Sequence, residues 1–264
     1  MLETKYLLSS PPRISSWVCS QPNPQARIRL FCFPHGGSGP HAFRNWHKFL
    51  PESIEVYGLQ LPGRGSRLRE TPFTSMESLV QVLVTQMTPD TDKPFAFFGH
   101  SLGANICFEV TRQLQRQGNS YPVHLFIASC RAPQLPKKIT PFSKFSDIEF
   151  IEHLRRANSV PEEILQNPKL IQLFLPALRS DAELEETYIY HPDEPFDCPI
   201  SAFGGMEDTI VTQQEIAAWR YQTRNSFLME MFPGDHFFIN NQLAPLLKSL
   251  SEQLQQYLCL NSMN

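Results

Sequence analysis

The chain has 264 residues, of which 41% are hydrophobic and 19% charged, the composition of a folded globular protein rather than a disordered or fibrous one. Its formal net charge is −3, so no basic excess points to nucleic acid and no charge run points to an interaction tail. No stretch approaches the roughly 18 apolar residues that a membrane span needs, and the opening MLETKYLLSSPPRISSWVCS lacks the charged start and apolar run of a secretory signal.

Along the chain, short apolar runs rich in aromatic and β-branched residues end in turn residues. The first two are IRLFCF (28–33) and IEVYGLQL (54–61). SMESLVQVLVTQM (75–87) follows, with an apolar stripe behind a serine placed as a helix N-cap. PFAFFG (94–99) leads into GANICFEVTRQLQRQG (103–118), a helical pattern that stops at glycine. VHLFIAS (123–129), PISAFGG (199–205) and FLMEMFPG (227–234) read as further strands, and TQQEIAAWRYQ (212–222) and APLLKSLSEQLQQYL (244–258) as helices. Nearly continuous apolarity suits strands buried on both faces. The alternation predicts an α/β protein, one domain over 1–264 with a mostly parallel, doubly wound sheet. The rhythm breaks over about seventy residues after the 123–129 strand, an insertion long enough to be a lid or binding element. Within it DIEFIEHLRRAN (147–158) and PKLIQLFLPALRSDAELEETY (168–188) are helical patterns, and a helical lid is expected over about 133–180. The six cysteines, Cys19, Cys32, Cys107, Cys130, Cys198 and Cys259, never form a C-x-x-C pair. They read as reduced thiols of a cytoplasmic protein, not as a disulfide framework or metal site.

Gly99-His100-Ser101-Leu102-Gly103 sits where a strand ends and a helix begins. A sharp turn there strains the central residue, and its neighbours two positions away must be small. This is the G-x-S-x-G nucleophile elbow of α/β-hydrolases. A serine hydroxyl needs a base, and the base needs an orienting acid. In the order serine, acid, histidine, FPGDHFF (232–238) offers His236 and FGGMEDTIV (203–211) offers Asp208, each just beyond a strand. Glu207 and Asp235 are rivals for the acid. Asp235 adjoins the histidine too closely for good geometry, and Asp208 stands ahead of Glu207. The developing oxyanion needs two backbone N–H donors. Leu102 supplies the first, and Gly36 or Gly37 in FCFPHGGSG (31–39) the second. His35 reads as loop-shaping, and His41, His47, His124, His153 and His191 as ordinary surface or core residues.

With these motifs the chain resembles the stand-alone, type II thioesterases of nonribosomal peptide and polyketide synthesis. The resemblance rests on FCFPHGGSGPHAFRNW, YGLQLPGRGSRLRE, FFGHSLGA, LPALRSDAELEETYIY, CPISAFGGMEDTIV and FPGDHFF together. It implies Ser101 as nucleophile, His236 as base and Asp208 as acid, with an α/β-hydrolase fold and a mobile lid. Gly36 stands where the family has alanine, and Ser38 replaces a family glycine. The implied reaction is hydrolysis of acyl or aminoacyl thioesters on the phosphopantetheine arm of a carrier domain. That arm belongs to the partner, so no cofactor of the chain's own is expected. A medium-chain fatty-acyl thioesterase or a general carboxylesterase of the same fold is the alternative. The expected partners are acyl or peptidyl carrier proteins, with no nucleic acid and no membrane, the chain acting as a monomer. Arg64, Arg67, Lys137, Lys138, Arg155 and Arg156 are candidates for docking an acidic carrier, beside the plainer reading of solvated surface charges.

Overall fold

A computed structural model of the chain describes residues 16–20, 23–87, 93–119, 121–137 and 141–261. The opening segment read against a secretory signal lies, through residue 15, outside them. Seven strands form one sheet: β1 (Val18–Ser20), β2 (Ile28–Phe33), β3 (Ile54–Leu59), β4 (Phe95–His100), β5 (Leu125–Ala128), β6 (Ile200–Gly205) and β7 (Phe227–Phe232). Their order is β1-β3-β2-β4-β5-β6-β7. β1 pairs antiparallel with β3, and every other pair is parallel. The three-residue β1 is the one strand not anticipated, since VCS is too short to show a period.

The continuous apolar runs are buried on both faces. Alternate residues of β2 and β4 enter different cores: Phe31, Phe33, Phe95 and Phe97 on one side, Leu30, Cys32, Ala96 and Phe98 on the other. The first core is closed by α1 (Met76–Met87), through Leu79, Val80 and Leu83, and by α2 (Leu102–Arg116). The second is closed by α7 (Leu243–Leu260), through Leu246, Leu247, Leu250 and Leu254. Five cysteines are buried, Cys259 is exposed, and none of the six forms a disulfide.

Between β5 and β6 lie α3 (Asp147–Arg156), α4 (Glu162–Leu165) and α5 (Pro168–Thr187). A capping box between Ser146 and Glu149 starts α3, and the Asn167 side chain accepts from the Lys169 and Leu170 N–H groups to start α5. These helices share a separate apolar cluster that includes Phe150, Leu154, Leu165, Leu170 and Leu178. α5 ends at Thr187, one residue short of the helical pattern read over 168–188. Over 212–222 the single expected helix is α6 (Gln213–Ala217) followed by a 3₁₀ turn, Ala218–Gln222. No described helix is long and apolar enough to cross a membrane.

The register positions the loops. Phe33 lies beside Gly99, so the 34–39 loop emerges next to the serine turn. His100 lies beside Ala128, and Gly205 beside Phe232. Four loops therefore meet at one edge of the sheet, beyond the strand ends.

Candidate active site

Ser101 occupies the turn between β4 and α2 with φ 54° and ψ −120°, a left-handed conformation that is unusual for a residue with a side chain. The turn is held by the Ser101 N–H, which donates to Ala128 O at 2.9 Å. Its flanking glycines are required by space. A Cβ on Gly99 would stand 2.4 Å from Ala104 Cα, and one on Gly103 would stand 2.1 Å from Phe33 O. Both obstacles are backbone atoms and cannot swing away.

His236 reaches the serine from the loop after β7. Its Nε2 lies 3.0 Å from Ser101 Oγ, and its Nδ1 lies 2.9 Å from Asp208 Oδ2. A carboxylate only accepts, so Nδ1–H donates to Asp208, and Nε2 is left to accept from the serine hydroxyl. The other Asp208 oxygen accepts from the Ile210 and Val211 N–H groups at 2.7 and 3.0 Å. Burial pushes the Asp208 carboxyl up, but the His236 ring and these two N–H groups outweigh it, and the carboxyl ends below the ordinary range. The rivals are elsewhere: Glu207 is exposed, and Asp235 Oδ1 accepts from the Phe237 N–H. The acid and histidine loops can meet because a Cβ on Gly205 would stand 2.2 Å from Asp235 O.

Two residues that fix the histidine escaped the sequence reading. Its backbone carbonyl accepts from Ser129 Oγ at 2.8 Å and from His100 Nε2–H at 3.0 Å. Ser129, at the end of β5, also has a positive φ of 46°. His100 is the unspecified second position of the elbow, and burial lowers its pKa well below the usual range, which keeps the ring neutral. His35 packs edge-on against His100 and Phe237, the loop-shaping part expected of it. His124 is a core residue stacked on Phe126, and His47 and His191 are exposed.

The N–H groups of Gly36 and Gly37 differ in their partners, and α5 makes the difference. The Gly37 N–H donates to Asp181 Oδ2 at 2.6 Å and is thereby committed. The Ser38 N–H donates to His35 O. Gly36 lies against Leu102, and among the described residues neither of their N–H groups has a partner. Both donors belong to a loop or helix start fixed by other bonds, and α2 directs its positive end toward the same place. Asp181 also receives two bonds from Arg64, at 2.7 and 2.6 Å, while Arg64 donates to Ser38 O at 3.0 Å. One buried pair thus ties α5 and the 62–64 turn to the 34–39 loop.

This corrects the docking candidates. Arg64 and Arg67 are each 6% exposed, so they are neither docking groups nor solvated charges. Arg67 is pinned by Glu70, by the Gln60 carbonyl and by the face of Trp17. Lys137 donates to the Glu185 and Glu186 carbonyl oxygens. Arg155 and Arg156 are exposed and paired with Glu152. Lys138 lies outside the described residues.

Ser101 and His236 open onto a cavity of about 160 Å³, walled also by Asn105, Leu135, Glu185 and Tyr188. A larger cleft of about 310 Å³ beside β1 and β3 contains neither residue. A hydroxyl bonded to an oriented imidazole, beside two fixed N–H groups, is chemically equipped for acyl transfer.

Comparison with known proteins agrees. The model of the thioesterase domain family matches residues 28–254. The gramicidin S biosynthesis protein GrsT of Aneurinibacillus migulanus is 41% identical over 244 residues, which span 92% of this chain and 95% of that protein. RedJ, a thioesterase of prodiginine biosynthesis in Streptomyces coelicolor, superposes with a TM-score of 0.81 at 37% identity, covering 86% of this chain and 90% of that one. BorB, the type II thioesterase of the borrelidin biosynthetic cluster, superposes with a TM-score of 0.84 at 30% identity, covering 92% and 99%. The chain belongs to the thioesterase domain family and has its α/β-hydrolase fold.

Proposed function

We propose that the chain is a type II serine thioesterase that removes short acyl or aminoacyl groups from the phosphopantetheine arm of carrier domains, clearing misprimed or stalled synthases. The observation that carries this reading is the hydrogen-bonded series Asp208, His236, Ser101 at the mouth of a small cavity. In this reading Ser101 Oγ attacks the thioester carbonyl carbon as its proton passes to His236 Nε2. The carbonyl electron pair moves onto oxygen, which the Gly36 and Leu102 N–H groups receive. Collapse breaks the carbon–sulfur bond, and the departing thiolate takes the proton from His236. A water, giving its proton to the same nitrogen, then attacks the acyl-serine ester, and the acid leaves as Ser101 recovers its proton. Asp208 stays ionised and stabilises the transient imidazolium.

The cavity volume favours this over the medium-chain alternative. About 160 Å³ is below the roughly 300–1,000 Å³ of pockets that enclose drug-sized ligands. A short acyl or aminoacyl group matches it better than a long chain. The lid in this reading is α3, α4 and the first turns of α5, which pack among themselves, while Asp181 anchors the later turns.

The test is release of acetyl, alanyl and decanoyl groups from a loaded carrier domain, with a p-nitrophenyl ester for comparison. Ser101→Ala should abolish release. Asp208→Asn should lower kcat by ~10⁴, because the amide can keep the Ile210 and Val211 bonds while its NH₂ turns the ring to the wrong tautomer. Undiminished release by the Ala variant would end the mechanism, and a preference for decanoyl groups would end the editing assignment.

A further inference from the structure

The hydrolysis above leaves four charged residues of the cavity wall unused: Arg131, Lys137, Glu185 and Glu215. Glu185 lines the cavity with Ser101 and His236. It lies one helical turn beyond Asp181 on α5, so the two share a face of the helix. The bonds that seat Asp181 against the Gly37 loop therefore also fix the turn of α5 that carries Glu185 beside the cavity. Among the described residues its carboxylate has no hydrogen bond or ion pair.

The surrounding charges are committed elsewhere. The Lys137 ammonium donates to the backbone carbonyl oxygens of Glu185 and Glu186, at 2.8 and 3.0 Å. Arg131 donates to Pro136 O and stands 3.9 Å from Glu215. Glu186, the next residue, shows the contrast: it accepts from the Phe142 and Ser143 N–H groups and from Ser143 Oγ. Glu215 caps the start of α6 through Thr212. Of these three carboxylates, Glu185 is the one that lines the cavity with no hydrogen-bond donor among the described residues. Burial pushes its carboxyl up, against the opposing pull of His236 and Lys137. A desolvated carboxylate in that state gains most from a cation that enters with the substrate.

The chemistry of the substrate says which cation. In an aminoacyl thioester the ammonium is attached to the carbon next to the carbonyl that Ser101 attacks. It therefore enters the cavity that Ser101, His236 and Glu185 line together. We propose that Glu185 is the specificity-determining residue of the acyl cavity, receiving the α-ammonium of aminoacyl thioesters, so that the chain selects aminoacyl over deamino acyl groups. This rests on the thioesterase reading given above. A plain acyl group offers the carboxylate nothing and leaves it desolvated, so discrimination comes from both sides of the comparison.

The experiment uses the full chain and a carrier domain loaded in turn with L-alanyl, propionyl and lactyl groups, near neutral pH. The three are close in size and differ in ammonium, hydrogen or hydroxyl at one carbon. Each kcat/KM is divided by the spontaneous hydrolysis rate of the same thioester, which removes intrinsic reactivity. The corrected preference for alanyl over propionyl is expected to be about 30-fold, from one charge-assisted pair, with lactyl behaving as propionyl. Glu185→Gln should lower alanyl release about 30-fold more than propionyl release, chiefly through KM. Glu185→Asp, which keeps the charge on a shorter arm, should retain part of the preference and guards against a folding failure of the Gln variant. Equal losses for alanyl and propionyl in Glu185→Gln would overturn the assignment, as would a lactyl rate matching alanyl. Failure of the unaltered chain to release any of the three would instead strike the thioesterase reading itself.

Discussion

Replacing Asp181 with alanine should damage stability and turnover together, for separable reasons. The pair it forms with Arg64 is buried on both sides, with side chains 4% and 7% exposed. Removing the acid leaves a guanidinium with only the Ser38 carbonyl as a partner, and breaking a buried pair in this way costs about 3–5 kcal/mol. For a chain of this size that is a fall in Tm of about 2 °C per kcal/mol, or ~6–10 °C in all. The same change removes the acceptor of the Gly37 N–H, so the loop presenting Gly36 loses its brace. A misplaced oxyanion donor costs ~10² in kcat. The double variant Arg64→Met with Asp181→Leu removes both charges, and apolar replacement of a buried pair is commonly neutral or better. Its Tm should return to within about 3 °C of the parent, while kcat stays low. Calorimetry and carrier-release kinetics read the two effects. Restoration of kcat in the double variant, or an Asp181→Ala protein with unchanged rate, would refute the coupling of α5 to the oxyanion loop.

The two glycines of that loop should respond in opposite ways. A methyl on Gly36 meets Asp181 Cβ at 3.6 Å, an ordinary contact, so Gly36→Ala should keep kcat/KM within about threefold. Gly37 has φ +79°, and its methyl would stand 2.5 Å from Leu178 Cδ2, so Gly37→Ala should lose at least about tenfold, with partial recovery when Leu178→Ala is added; equal activities in the two single variants would contradict this. Stability should also decline in mild acid. His124 and His100 are both 5% exposed, and burial holds them neutral, the former pushed down to about 3 and the latter well below its usual value. Burial likewise pushes His35 down to about 3; as pH falls below about 6.5 the unfolded chain takes up protons that the folded chain refuses, so unfolding becomes easier, by about 4 kcal/mol from the three at pH 5.5. Urea midpoints from pH 7.5 to 5.5 measure the effect, His124→Asn should remove roughly a third of it, and a flat profile would count against it.

The turn at Ser101 was legible because its demands are local: strand, strained residue, helix and two small neighbours all fall within a few positions. His236 and Asp208 were legible from their places after strands, since a parallel sheet delivers such loops to one edge. The acid was distinguishable from Glu207 only by where the loop turns, which the Asp208 bonds to the Ile210 and Val211 N–H groups now explain. Ser129 carried no signal, because its part depends on a carbonyl 107 positions away. Arg64 and Asp181 are separated by 117 positions. In a sequence an arginine destined for burial looks like one on the surface, so Arg64 was open to misreading as a docking group. β1 was too short to see, whereas α5 was legible to within a residue of its end because one apolar pattern carries it from the separate cluster to the main body.

That unbroken helix has a further consequence. Residues 178, 181 and 185 fall on its one face and Tyr188 caps its end; in turn they meet Gly37, hold Gly37 and Arg64, line the cavity beside Ser101 and, through the bond of Tyr188 to Glu109, reach α2. Recognition and reactivity are thus mounted on a single rod. Exchanging that segment between relatives to alter which cargo is accepted should therefore also shift the intrinsic rate constant, and a directed-evolution campaign would find the two traits inherited together.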